Sequence, residues 1–385
     1  MKAGPKDLVK VIQNVIGKDP AQLHEPSFIG NEKEYLNKCI ESTFVSSIGF
    51  YVEELEIELA KYTGSKYAIL VCNGTSALHL SLRLLGIKEN HEVVIPAITF
   101  IATANSVLYT GATPHFVDIE TESLGIDPIK LRNWLLKIGV KNKKNELVNR
   151  KTGKKISAII PVHVFGHPCK IKEIMKIGEE FNLPIVEDAS ESLGSFIERR
   201  HTGTFGKLGV ISFNGNKIIT SGGGGAILTD NEELAKRAKH LSTTAKRFHK
   251  WEFIHDEVGY NYRMPNLNAA LALAQLENIE KFVSKKRKLY LRYKKAFETF
   301  ENIRVLEEKK GCRSNYWLQT IFLDNVDFKY RDKFLSEAHN NNIFIRPVWN
   351  ILSNLKPFIN YPKSTLTNAI KVEKSTLNIP SSSFL

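Results

Sequence analysis

Between Tyr67 and Asp188 the chain repeats one grammar: a short apolar run, a polar turn, then a helical pattern. The runs are Tyr67 to Cys72, Glu92 to Ile95, Pro114 to Asp118, Ile156 to Val162 and Pro184 to Asp188, each read as a strand. Helical stretches such as Ala77 to Leu85 and Ala102 to Tyr109 lie between them. Strands connected through helices run parallel and need cover on both faces, so the predicted class is α/β with a mostly parallel sheet. With 385 residues the chain is long enough for two or three lobes.

The flanking segments are simpler. Leu8, Ile12, Val15 and Ile16 share one side of a short N-terminal helix, which a loop with Pro20 and Pro26 follows. Val52, Leu55, Leu59 and Tyr62 share a second helix face, ended by Gly64. The lysine-rich stretch Lys137 to Lys155 is read as an exposed, solvated loop, because it lacks the interleaved aromatics that would stack nucleic-acid bases. Beyond Pro265 one long helical pattern runs from Asn266 to about Glu301. It leads into a smaller lobe with Trp317 to Leu323, a helix near Asp332 to Asn340, and Ile343 to Pro347. The predicted organisation is an N-terminal helical extension over 1–25, a large α/β domain over 26–250, and a long helix with a small C-terminal α/β domain over 251–385.

Charge and cysteine usage narrow the setting. Fifty-four basic against 41 acidic residues leave a formal +13, which suits anionic partners such as phosphate esters. The four cysteines are scattered without a C-x-x-C pair, which argues against a disulfide framework or structural zinc and fits a reducing cytoplasm. No apolar run approaches the roughly 18 residues of a membrane span, so an unexported, cytoplasmic protein is expected.

Candidate chemistry gathers where the predicted strands end, the usual ligand crevice of an open α/β sheet. Gly74, Thr75 and Ser76 follow a strand and open a helix, where free N–H groups and the positive end of the helix dipole can hold a phosphate; an ordinary N-cap is the alternative. Neither a Walker pattern nor a G-x-G-x-x-G after a strand is present, which weakens ATPase and NAD readings. Asp188 closes an apolar run, with Glu191 slightly further along, and a carboxylate there can face a cationic ring nitrogen or serve as a cap. Lys217 lies inside the mainly apolar, glycine-flanked segment SFNGNKIITSGGGG. A lysine sheltered from water becomes a nucleophile able to form an imine with an aldehyde, though a surface lysine is the alternative. A phosphate cup, an acidic strand end and an apolar lysine, in that order, are the requirements of pyridoxal 5′-phosphate.

His163 and His167 have i, i+4 spacing near Cys169, but Gly166 and Pro168 deny them a continuous helix, so no metal is expected. His163 follows a predicted strand and is a candidate for lining the substrate pocket, with a hydrogen-bonded structural histidine as the alternative.

The words NGTSALHL, PAITFIATAN, VEDASESLGS, SFNGNKIITSGGGG and GYNYRMPNLNAALALAQL occur in this order from Asn73 onward. Together they resemble the DegT/StrS-type nucleotide-sugar aminotransferases, members of the aspartate-aminotransferase fold (fold type I), from about Gly30 to Pro380. STFVSSIG, HTGTFGKLG, TTAKRFHKWEFIHDEVGYNYRMPN and SNYWLQ look closest to the branch acting in legionaminic-acid and related polysaccharide pathways. The resemblance implies that Lys217 carries the cofactor and then shuttles a proton, while Asp188 keeps the ring nitrogen protonated. It further implies that Phe100 stacks on the ring and that Gly74, Thr75, Ser76 and Ser212 bind the phosphate. Glu191 falls near the ring's 3′ oxygen, where relatives carry glutamine, histidine or an acid. Asn261, otherwise a turn residue, is implied to reach the phosphate of a neighbouring subunit, hence a homodimer with shared sites.

One departure is GGGG at Gly222 to Gly225, where many relatives have GEGG. The implied activity is transfer of an amine from L-glutamate, through the pyridoxamine 5′-phosphate form, to a UDP-linked 2-acetamido-4-keto-6-deoxy hexose. A dehydratase on the same scaffold, in a branch that replaces the lysine by histidine, is the first rival, against which Lys217 argues. A nucleic-acid-binding regulator with a PLP-enzyme fold is the second, and no recognition helix supports it.

Overall fold

In a computed structural model that describes residues 4–385, the predicted alternation forms one twisted sheet. Its strands are β1 (Tyr67–Val71), β2 (His91–Pro96), β3 (Thr113–Val117), β4 (Gly139–Lys141), β5 (Leu147–Asn149), β6 (Lys155–Ile159), β7 (Val186–Asp188), β8 (Leu208–Ser212) and β9 (Gly225–Thr229). β3, β2 and β6 are parallel neighbours, bridges Ile159 to Ile185 and Val162 to Asp188 carry parallel pairing on to β7, and β8 follows it in parallel. β9 runs against this direction, between β8 and β1, as does β5 at the other edge beside β6. The central strands are buried on both faces, so they are nearly continuous Val, Ile and Leu, and the fold is the expected fold-type-I α/β scaffold.

Two expectations from the sequence change. Lys137 to Lys155 is not a loop: β4 and β5 form a hairpin that adds antiparallel pairing beside the start of β6. Its anchor is the buried Glu92 carboxylate, which accepts hydrogen bonds from Asn149 Nδ2 (2.9 Å) and Thr152 Oγ1 (2.5 Å). Trp134 Nε1–H donates to His115 Nε2 (2.7 Å), which leaves the His115 Nδ1–H to donate to Glu92 (2.8 Å). Burial would raise the Glu92 pKa, but the bonds from His115, Thr152 and Asn149 outweigh it and hold the carboxyl below its ordinary range. The long C-terminal helix is likewise two helices, Asn266–Leu276 and Ile279–Phe297, separated at Glu277 and Asn278.

The C-terminal segment contributes an antiparallel sheet ordered Ile303–Val305, Gln319–Leu323, Thr376–Ile379, Arg346–Pro347. Helix Pro5–Ile16 buries its predicted stripe Leu8, Ile12, Val15 and Ile16 in the same cluster as Tyr293, Phe297, Ile321 and Phe334. The buried Asp118, just past β3, accepts the N–H groups of Asn368 (3.0 Å) and Ala369 (2.9 Å) at the start of helix Thr367–Ser375, and so pins that helix to the large sheet. Among the described residues no helix is long and apolar enough to cross a membrane.

Candidate active site

At the carboxyl ends of β1, β7 and β8 lies a cavity of about 720 Å³, closed on its far side by Arg346 to Asn350. Asn73 caps helix Gly74–Leu84 by accepting the Ser76 N–H (2.8 Å). The N–H groups of Gly74 and Thr75, ahead of the first helical bond, have no acceptor within the helix, and both residues line the cavity. A Cβ on Gly74 would lie 3.0 Å from Ser212 Cβ and 3.3 Å from Ser190 Oγ, so glycine keeps open a cup flanked by two hydroxyls. A Cβ on Gly225 would stand 2.6 Å from the Asn73 carbonyl carbon; the glycine run lets β9 approach this turn. Ser76 stands back from the cavity lining: its N–H is taken by the Asn73 cap and its hydroxyl accepts from Cys72 Sγ (3.3 Å).

Asp188 ends β7, where its main chain is fixed by the Pro161 carbonyl (2.9 Å) and by the His163 N–H (3.1 Å). Its carboxylate accepts from Thr103 Oγ1 (2.8 Å) and Ser190 N (3.2 Å) and faces the cavity. Lys217 sits in the loop of the hairpin β8–β9, in a turn closed by its own N–H on Asn214 O (3.0 Å). Its side chain is 11% exposed, with Nζ 3.4 Å from Glu191 Oε1 and 4.0 Å from the centroid of the Trp317 ring. Glu191 also accepts the Phe165 N–H (2.8 Å), and burial raises its pKa while the Lys217 ammonium pulls the other way. Phe100 is half-exposed at the cavity wall, its ring centroid 6.4 Å from that of Trp349.

His163 does not line the cavity. Its ring is fully buried, Nδ1 accepts the Cys169 N–H (3.1 Å) and Nε2–H donates to Glu187 (2.9 Å), so both nitrogens are spent inside the protein. Glu187 also accepts from the Gly203 (2.9 Å) and Gly206 (2.6 Å) N–H groups, which makes the pair a structural clamp. Asn261 lies outside the cavity of its own chain, exposed, and accepts from Arg263 Nε (3.0 Å).

Sequence reasoning missed Arg346, Trp317 and Trp349, all cavity-lining and all from the C-terminal part of the chain. Arg346 and Lys217 are the cations of the lining; in the sequence, Trp317 carries no signal beyond its place in the word SNYWLQ. Helix-terminal N–H groups flanked by hydroxyls, a carboxylate, an amine and a flat aromatic surface in one cavity fit pyridoxal 5′-phosphate.

The DegT/DnrJ/EryC1/StrS aminotransferase family model matches residues 26–385. The chain is 37% identical over 327 residues to the GDP-perosamine synthase of Escherichia coli O157:H7, covering 85% of this chain and 84% of that protein. It is 37% identical over 329 residues to the GDP-perosamine synthase of Vibrio cholerae, covering 84% and 83%. A crystal structure of a DegT DnrJ EryC1 StrS aminotransferase from Brucella abortus superposes with a TM-score of 0.83 at 27% identity, covering 92% of this chain and 91% of that one.

Proposed function

Since the chain belongs to the DegT/DnrJ/EryC1/StrS aminotransferase family, whose enzymes are pyridoxal-phosphate-dependent sugar aminotransferases, we propose that it moves the amine of L-glutamate onto C4 of a 4-keto-6-deoxy nucleotide sugar. The acceptor we favour is UDP-2-acetamido-4-keto-2,6-dideoxyhexose, with the 4-amino product entering surface polysaccharide or nonulosonic acid synthesis such as that of legionaminic acid. The observation that carries this reading is the sheltered Lys217 amine sharing one cavity with the Asp188 carboxylate and the open helix start at Gly74.

When bound, the cofactor supplies an aldehyde that accepts amines and a ring that withdraws electrons. Lys217 binds it through Nζ and, once released, holds and moves the proton at the reacting substrate carbon. Asp188, braced by Thr103, keeps the ring nitrogen protonated. Gly74, Thr75 and Ser212 hold the phosphate, and Phe100 covers a ring face. Glu191, beside the Lys217 amine, makes the contact to the ring's 3′ oxygen. Arg346 offers its charge to the glutamate carboxylate and to the sugar diphosphate in turn.

The partner-subunit role of Asn261 belongs to the same proposal. Its exposure outside its own cavity, together with the exposed Phe248, Trp251, Phe253 and Val258 in the segment that precedes it, supports a homodimer with shared sites. The test is a panel of UDP-, GDP- and dTDP-linked 4-keto-6-deoxy sugars incubated with glutamate. The reading expects 2-oxoglutarate to appear in step with loss of one keto sugar; keto sugar consumed without 2-oxoglutarate would point to the dehydratase instead.

A further inference from the structure

Two groups lie directly against the Lys217 ammonium. Glu191 Oε1, at 3.4 Å, is at the outer limit of a hydrogen bond, whereas the Trp317 ring lies 4.0 Å below the ammonium, well inside cation–π range. Trp317 is itself held on every side. Its indole N–H donates to the Asn216 carbonyl (2.6 Å), one residue before Lys217, and its main-chain N–H donates to Asn315 Oδ1 (2.7 Å). Its carbonyl accepts from Lys286 Nζ (2.9 Å), a fully buried amine that also donates to Ser381 O. The preceding Tyr316 has φ +48, an unfavourable conformation for a bulky residue, which the surrounding bonds maintain.

We propose that the face of Trp317 is the resting place of the Lys217 ammonium whenever that amine is not bound to the cofactor, which makes Trp317 a positioning residue for the proton-carrying lysine. The indole N–H fixes the backbone beside Lys217, and the ring face holds the freed amine close to the cavity instead of letting it swing into solvent. This inference rests on the role assigned to Lys217 above.

The test uses the enzyme loaded with pyridoxamine 5′-phosphate, in which Lys217 is free. Acetic anhydride labels uncharged amines, and peptide mass spectrometry reads the Lys217 rate at pH 7 relative to its limiting rate at alkaline pH, a ratio that cancels changes in access. Trp317→Leu is expected to raise this ratio about tenfold, the upper part of the range for a Trp face on a partly desolvated cation. Trp317→Phe, which keeps a weaker ring face, is expected to raise it about threefold. An unchanged ratio in the Phe variant overturns the proposal, even if the Leu variant fails to fold. Borohydride reduction of the pyridoxal-loaded protein separates the two readings. A pyridoxyl group mapped away from Lys217 overturns the function assigned to that lysine and this inference with it, whereas a group on Lys217 with an unchanged ratio overturns the Trp317 role alone.

Discussion

Replacing His163 by alanine separates a substrate contact from a structural clamp. The substitution removes a hydrogen bond to the buried Glu187 carboxylate, worth about 2 kcal/mol, and leaves the Cys169 N–H without its acceptor, worth about 2 kcal/mol more. Glu187 keeps its bonds from Gly203 and Gly206, so the loss stops short of an unpaired buried charge. The total is roughly 4 kcal/mol. For a chain of 385 residues the unfolding entropy corresponds to about 0.8 kcal/mol per degree, so the melting temperature should fall by about 5 °C. The assay is thermal unfolding of the cofactor-loaded protein, followed by KM for the keto sugar at a temperature where the variant is folded. The account expects the lower melting temperature with KM within about twofold of wild type. An unchanged melting temperature with a tenfold higher KM would refute it and return His163 to the pocket.

Other perturbations address the rest of the site and the scaffold. Lys217→Ala should abolish the yellow colour and borohydride trapping while leaving the far-UV circular dichroism unchanged. Asp188→Asn should cost on the order of 10² in kcat with cofactor still bound, measured by 2-oxoglutarate release, because a fixed charge is lost where charge develops; a loss below threefold would contradict its role. The Glu92 carboxyl titrates below its ordinary range when folded, so its contribution is fully present above about pH 4.3 and is lost as pH falls through the lowered folded value. Glu92→Gln should therefore flatten the acid limb of a melting-temperature profile between about pH 5 and 3. For the shared site, mixing Lys217→Ala with Asn261→Ala chains, each inactive alone, should restore about a quarter of wild-type activity, since half of randomly paired dimers carry one intact site of two; no recovery after verified subunit exchange would count against the dimer.

The site was legible where local chemistry reports position. Asn73 to Thr75 combine a cap with a small residue at a strand end, and Asp188 terminates an apolar run, so both fall at the sheet's carboxyl edge in the structure as in the sequence. Lys217 stood out because the turn that holds it is flanked by glycines. His163 was misplaced because a strand end does not reveal which face of the sheet its side chain takes; its partner Glu187 is separated from it by a helix. The hairpin at Gly139–Lys141 and Leu147–Asn149 looks like a loop in the sequence because its anchor, Glu92, lies far back in the chain and lysines dominate its exposed positions. The break after Leu276 has neither glycine nor proline to announce it. Trp317 and Arg346 reach the cavity only through tertiary packing of the C-terminal sheet, for which local pattern carries no signal.

Incubation with [15N]glutamate and the 4-keto nucleotide sugar, followed by NMR of the sugar product, addresses the amine transfer itself. The account predicts 15N bonded to C4 of the product with wild-type enzyme and none with Lys217→Ala. A product that has lost its keto group without gaining 15N, or equal labelling in both proteins, would contradict it.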